Sequence, residues 1–205
     1  MNSHLKVVAL EESPIPDEEA EQETEEEAKD EAEVKIRCLV TKGGVQVSSG
    51  EDVERLRTRG YGVLEEGTLL LTYYEALFLL SKDLLEVVDQ KDQVLDFSAL
   101  LKHYQAADDN AWVRYLIYRD LRSRGYVARE GFGFGIDFRV YERGAYGAET
   151  AKYLVLGVQE GQPVAVGDLA NTLQSVQSLK KNLVLAVINR RGETVYYSLQ
   201  KLALI

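Results

Sequence analysis

The chain has 205 residues, 45% of them hydrophobic, and a formal net charge of −10 at pH 7. This length holds one large or two small domains, and no apolar run approaches the roughly 20 residues of a membrane-spanning helix. The N-terminus lacks a basic-then-apolar secretory pattern, which predicts a cytoplasmic protein. With one cysteine, Cys38, and two distant histidines, His4 and His103, neither an internal disulfide nor a Cys/His metal site is expected.

The acidic charge is concentrated near the N-terminus. Residues 11–33 contain thirteen acids and a single base, Lys29, whereas residues 34–205 carry 22 bases and 21 acids. A block of like charge without an apolar period repels itself, so residues 1–33 are predicted to form a disordered acidic tail. Two roles stay open for this tail: keeping the protein soluble, or docking to a basic partner.

Short strands and helices alternate in the first half of the ordered chain. The alternating apolar pattern on either side of a Gly-Gly pair predicts a hairpin over 34–48. Thr72 is expected to start a helix, because Glu75 three residues later completes a capping box. Further helices are predicted at 51–59 and 98–107. Together these elements predict a small N-terminal α/β domain over 34–110.

Strands dominate the second half, which is predicted to form a C-terminal domain over 111–205. A helix at 111–124 opens it, and a second helix is expected at 168–182. The six consecutive apolar residues at 183–188 are typical of a strand buried on both faces. Other strands are predicted at 126–128, 136–141, 152–158 and 194–198. The fold class is therefore mixed α/β (α+β), with a mixed C-terminal sheet crossed by a helix.

Two further motifs are not predicted to form functional sites. The glycine-rich stretch 131–135 lacks the Gly-Lys-Ser/Thr of a phosphate-binding loop and precedes a strand, so it is predicted to be a hairpin turn. A metal-dependent nuclease would pair an acid such as Asp137 with Glu-x-Lys on the next strand. Here Glu149 and Lys152 are one residue too far apart, which puts their side chains on opposite faces of a strand.

A series of motifs then occurs in a characteristic order over 34–202. They lie at 59–62, 71–77, 115–126, 131–144, 153–155, 178–181 and 195–197. In this order and spacing they resemble the archaeal tRNA-splicing endonuclease family, and the resemblance implies that the C-terminal sheet is nuclease-like. The resemblance implies cleavage of precursor tRNA at bulge-helix-bulge sites without metal or other cofactor, leaving 2′,3′-cyclic phosphate and 5′-OH ends.

The same resemblance assigns roles to individual positions. In this family a tyrosine acts as general base, a histidine as general acid, and a lysine stabilises the charged transition state. Tyr141 falls on the tyrosine position and Lys181 on the lysine position. The histidine position is occupied by Thr150, whose hydroxyl does not readily give up a proton near neutral pH.

This departure predicts a structural subunit of a tRNA-intron endonuclease, paired two plus two with a catalytic paralogue. One alternative is a self-sufficient homo-oligomeric endonuclease in which another group replaces the histidine. Another is a non-catalytic RNA-binding or assembly module.

The resemblance also predicts two assembly contacts. The loop 159–163, with Glu160 as its acid, corresponds to a family loop that inserts into a neighbour's basic pocket. The terminal stretch 194–205 is too apolar for an open sheet edge, so Tyr196 and Leu199 are expected to lie at a strand-to-strand contact with a second chain.

Overall fold

The computed structural model describes residues 4–9 and 35–202, with side chains from 35 to 201. It confirms the mixed α/β class: two six-stranded mixed sheets, with five helices among the described residues. The chain divides into two compact units, residues 25–119 and residues 120–205 together with 1–24. In the described part of the chain, every helix is too short or too polar to cross a bilayer.

The elements follow one another in this order: β1 His4–Ala9, β2 Ile36–Val40, β3 Val45–Val47, α1 Gly50–Thr58, β4 Val63–Glu65, β5 Thr68–Leu71, α2 Tyr73–Ser81, β6 Leu85–Val88, β7 Val94–Leu95, α3 Phe97–Gln105, α4 Ala111–Ser123, β8 Val127–Glu130, β9 Phe138–Tyr141, β10 Tyr153–Gln159, α5 Val166–Ser178, β11 Asn182–Ile188 and β12 Thr194–Leu202.

The N-terminal unit contains a sheet of order β4-β5-β3-β2-β6-β7. Its almost wholly buried helix α2 begins at the predicted capping box. Thr72 Oγ1 accepts from the Glu75 amide, and the Glu75 carboxylate accepts from the amides of Thr72, at 2.8 Å, and Gly62, at 3.2 Å. One carboxylate therefore caps the helix and also fixes the turn that precedes β4, because a buried charge needs such partners.

The two compact units divide within α4, whereas the predicted boundary at residue 110 lies just before this helix. Aromatic packing explains where the first part of α4 belongs. The ring of Tyr115 lies 5.1 Å from Phe97, and that of Tyr118 lies 4.9 Å from Tyr74, centroid to centroid. These contacts place the first part of α4 in the N-terminal unit.

The sheet of the C-terminal unit has the order β1-β12-β11-β10-β9-β8, in which only β10 and β11 run parallel. Helix α5 connects these two strands and packs on one face. Leu173 and Val176 of α5 join a buried cluster with Leu154, Leu183 and Leu199 from three neighbouring strands. On the opposite face, the last turns of α4 contact Tyr196 of β12.

The prediction of a disordered tail over residues 1–33 is wrong for His4–Ala9. These residues form β1, which pairs antiparallel with β12 from His4↔Leu202 to Ala9↔Tyr197. Residues 10–33 lie outside the described part of the chain. Within the chain, β1 therefore pairs along the edge of β12 from Tyr197 to Leu202, and the expected contact of Tyr196 and Leu199 with a second chain stays a prediction.

Candidate active site

Tyr141, Thr150 and Lys181 lie at one end of the C-terminal sheet. Tyr141 is the last residue of β9, Thr150 precedes β10, and Lys181 precedes β11. These three strands are neighbours, and the pairs Tyr153↔Val140 and Tyr153↔Asn182 align their ends. Strand register therefore gathers three residues that are up to 40 positions apart in the sequence.

The loop that carries Thr150 is held between two strands. The amide of Lys152 donates to the Val140 carbonyl of β9 at 3.1 Å, and the Lys152 carbonyl accepts from the Asn182 amide at 3.3 Å. The preceding residue, Ala151, is only 6% exposed. Thr150 itself is exposed, and it projects from an anchored segment.

Lys181 is positioned by the way helix α5 ends. Lys180 takes a left-handed conformation with φ of 56°, and its amide donates to the Gln177 carbonyl at 2.9 Å. The Lys181 amide donates to the Val176 carbonyl at 3.2 Å. This is the Schellman pattern, in which glycine usually occupies the left-handed position. It also explains why α5 ends at Ser178, four residues before the predicted end at 182.

The two side chains meet directly. Lys181 Nζ donates to Thr150 Oγ1 at 2.6 Å. The hydroxyl therefore acts as the acceptor for the ammonium group. An ammonium suits the stabilisation of negative charge at a phosphate, but a threonine hydroxyl is a very weak acid compared with an imidazolium.

Tyr146 is a fourth residue of this site, and the sequence motifs did not single it out. Its ring meets the ring of Tyr141 edge to face, with centroids 5.1 Å apart. Tyr146 is 36% exposed in the loop that follows β9. Its only signal in the sequence is an aromatic residue five positions after Tyr141, which is too common a pattern to point to a site.

An ion pair lies beside the site. Lys152 Nζ contacts Glu142 Oε1 at 2.5 Å. The hydrogen bond from Lys152 lowers the pKa of the Glu142 carboxyl, and the same bond raises the pKa of Lys152. Both side chains are exposed, so this pair adds little stability.

The acids considered for a metal site do not come together. Asp137 precedes β9 and its Oδ2 accepts from the Gly157 amide at 2.7 Å, whereas Glu149 lies beyond the other end of β9. Among the described residues there is no group of three or more His, Cys, Asp or Glu that would hold a metal ion. His103 lies in the other unit, with its ring 5.7 Å from Tyr73, and the side chain of His4 is outside the described part.

The predicted contact residues have partners within their own unit. Glu160 Oε2 accepts from the Arg190 amide at 3.2 Å. Tyr196 donates its hydroxyl to Asp120 Oδ2 at 2.7 Å, and burial, with the nearby Asp120, raises its pKa well above the usual value. Leu199 is 3% exposed and belongs to the core. Substitutions at Tyr196 or Leu199 would therefore disturb the fold of the unit itself.

Two family models match this chain. The model of the tRNA intron endonuclease N-terminal domain matches residues 39–101, and that of the tRNA intron endonuclease catalytic C-terminal domain matches residues 111–197. These matches agree with the two α/β units and with the position of the Tyr141 site in the second unit. The chain belongs to the tRNA intron endonuclease family.

Relatives agree with this assignment. The chain is 37% identical over 154 residues to the tRNA-splicing endonuclease of Methanococcus vannielii. This match covers 75% of this chain and 87% of the Methanococcus protein. It is 34% identical over 142 residues to the tRNA-splicing endonuclease of Pyrococcus horikoshii, and 35% identical over 142 residues to that of Pyrococcus furiosus. Each of these two matches covers 69% of this chain and 81% of the Pyrococcus protein.

Proposed function

We propose that this chain is a subunit of a tRNA-splicing endonuclease that removes introns from precursor tRNA at bulge-helix-bulge sites, and that its own role is structural. One observation carries the proposal. At the position where the family resemblance calls for a general-acid histidine, the chain has Thr150, whose hydroxyl accepts a hydrogen bond from Lys181. We propose that this subunit acts in the cytoplasm.

The proposed reaction explains why this position matters. A ribose 2′-oxygen attacks the adjacent phosphorus, the bond to the 5′-oxygen of the next nucleotide breaks, and a 2′,3′-cyclic phosphate and a 5′-OH result. The leaving 5′-oxygen must take up a proton. Loss of a positioned general acid typically slows such a step by about 10²- to 10⁴-fold. With Tyr141 as base and Lys181 near the phosphate, the acid is the missing part.

The proposed partner is a paralogue that carries the histidine, in a hetero-oligomer of two plus two subunits. The loop 159–163 supports this proposal, because Glu160 is exposed and the amide of Arg190 holds its carboxylate in place. An oriented carboxylate is well suited to a basic pocket on a partner. Truncating such a group in a desolvated pocket weakens binding strongly, whereas a rim contact contributes little.

One observation favours a self-sufficient enzyme as the second candidate. The phenol of Tyr146 lies beside Tyr141, ring to ring at 5.1 Å, so a second proton-bearing group stands at this end of the sheet. A phenol, with an ordinary pKa near 10, is a far better proton donor than a threonine hydroxyl. In this reading Tyr146 supplies the proton that the histidine would supply.

A cleavage assay separates these candidates. The probe is a bulge-helix-bulge RNA, incubated in EDTA with the purified chain, with the histidine-bearing paralogue, and with both together. A structural subunit leaves the RNA intact alone and gives cyclic phosphate ends only with the paralogue. Robust cutting by the chain alone contradicts the structural role and favours the second candidate, in which Tyr146→Phe abolishes activity. If the mixture neither assembles nor cuts, the remaining reading is an RNA-binding module.

A further inference from the structure

Two arginines stand directly opposite each other at the outer edge of the C-terminal sheet. Strands β8 and β9 pair with Arg129↔Arg139 in register. Paired residues share a face of the sheet, and so do residues two apart on a strand. Arg129, Arg139 and Tyr141 therefore lie on one face, with Arg139 about 7 Å along the strand from Tyr141.

Like charges that face each other across two strands destabilise a sheet unless something offsets the repulsion. Both arginines have partners within the protein. Arg139 Nε donates to the Glu130 carbonyl at 2.8 Å, and its guanidinium carbon lies 5.6 Å from the ring centroid of Phe132. The Nη atoms of Arg139 make no hydrogen bond to any described residue. The terminal donors of Arg139 are therefore available to an anionic ligand.

The aromatic member of this group is accessible. Phe132 is 43% exposed on the glycine-rich turn between β8 and β9, and the neighbouring Phe134 is 59% exposed. Large apolar side chains on a glycine-rich turn gain little from folding when they stay in water. An exposed ring beside a guanidinium is a typical platform for an unstacked nucleobase.

We propose that Arg129, Phe132 and Arg139, here named the β8–β9 row, bind an RNA strand on the face of the sheet that carries Tyr141. The guanidinium groups contact backbone phosphates, and the Phe132 ring stacks with an unpaired base. Guanidinium favours phosphate because its planar donors match two oxygens at once. The inference rests on the proposed function, and it assigns the row to RNA binding rather than to bond breaking.

The test is equilibrium binding of a fluorescently labelled bulge-helix-bulge RNA at several salt concentrations. The full chain is compared with Arg139→Gln, Arg139→Lys and Phe132→Ala. Arg191→Gln is the matched control, because it removes the same charge from the exposed turn between β11 and β12.

Arg139→Gln is expected to weaken binding about tenfold and to lower the slope of log K against log salt by roughly one. Arg139→Lys keeps most of the slope but loses affinity, because lysine lacks the planar fork. Phe132→Ala is expected to weaken binding about 5- to 100-fold with the slope unchanged. The Arg191→Gln control stays within about twofold of the unmodified chain.

Melting curves of each variant check the fold, and Phe132→Ala on the exposed turn keeps the test open if Arg139→Gln fails to fold. If the unmodified chain binds the RNA but Arg139→Gln and Phe132→Ala bind equally well, the row is overturned and the proposed function stands. The row is overturned in the same way if Arg191→Gln weakens binding as much as Arg139→Gln. If neither the unmodified chain nor its mixture with the paralogue prefers the bulged RNA over an unbulged duplex, the proposed function fails and the row fails with it.

Discussion

Lys181 and Thr150 are joined by a hydrogen bond of 2.6 Å from Nζ to Oγ1, across 31 residues of sequence. The bond connects the residue before β11 to the loop before β10, so the two side chains hold each other in place. In the proposed reaction, the Thr150 hydroxyl of this contact stands at the position where the family resemblance calls for the general-acid histidine.

Replacing Thr150 by histidine is expected to create activity in the chain alone. An imidazolium at this position supplies the missing proton, so cleavage of a bulge-helix-bulge RNA should rise by about 10²-fold or more. The acid works only when protonated, so the rate should fall as the pH rises past the pKa of the introduced imidazole, ordinarily about 6.5. The neighbouring Lys181 ammonium disfavours a second positive charge, so this fall should begin at a lower pH. Thr150→Asn, which fills the space without a proton to give, is the control; equal gains in both variants would contradict the role of the imidazolium as acid.

Replacing Lys180 by glycine is expected to stabilise the C-terminal unit. Lys180 adopts φ of 56°, a conformation that costs a side-chain-bearing residue about 1 kcal/mol relative to glycine. The melting temperature should therefore rise by about 2–4 °C. Lys180→Ala keeps the Cβ atom and should give no such gain. An equal rise in both variants would show that removal of the charge, rather than relief of strain, is the cause.

Replacing Tyr196 by phenylalanine is expected to lower stability by about 1–3 kcal/mol. The change removes the hydroxyl that donates to Asp120 at 2.7 Å and leaves a partly buried carboxylate with one donor fewer. Thermal or urea unfolding measures the loss. The neighbouring Tyr197→Phe removes the same atom from the opposite face of β12 and serves as the control. Equal losses in the two variants would mean that the Asp120 contact is not the source.

Alkaline pH is expected to destabilise the protein, with Tyr196 and Tyr104 among the contributing groups. Burial raises the pKa of Tyr104 to about 12 and raises that of Tyr196 well above 10. Below pH 10 these phenols are neutral in both folded and unfolded chains. Above about pH 10 only the unfolded chain ionises freely, so stability falls with rising pH until the folded groups titrate. Urea unfolding from pH 8 to 11 should show a shallower decline in Tyr196→Phe; an identical decline would exclude Tyr196 as a contributor.

Deleting residues 1–10 is expected to destabilise the chain and promote self-association. The deletion removes β1 and exposes the backbone donors and acceptors along the outer edge of β12, which then invite a second chain. Melting and sedimentation measure the two effects. The control keeps β1 and replaces residues 11–33 by a neutral linker of the same length, which should change neither. If the deletion variant melts and sediments like the full chain, β1 contributes nothing to the fold.

Local signals in the sequence predicted the features whose contacts join residues only a few positions apart. The Thr72 capping box was predictable because Glu75 lies one turn away, and the hairpin at 131–135 because its glycines stand between two strands. The β1–β12 pair was missed because it joins the first described residues to the last, and a neighbouring acidic block masks the short apolar stretch at 4–9. Tyr146 and the facing arginines depend on loop path and strand register, which composition and periodicity do not reveal.

The pairing of β1 with β12 also sets an order of events in synthesis. The first described strand of the chain bonds to the last, with His4 opposite Leu202. At about 5–20 residues per second, roughly 10–40 s pass between the emergence of these two strands. During that interval the sequence of the N-terminal unit becomes complete, while β1 still lacks its partner. The sheet of the C-terminal unit therefore closes last, at the edge where both ends of the described chain meet.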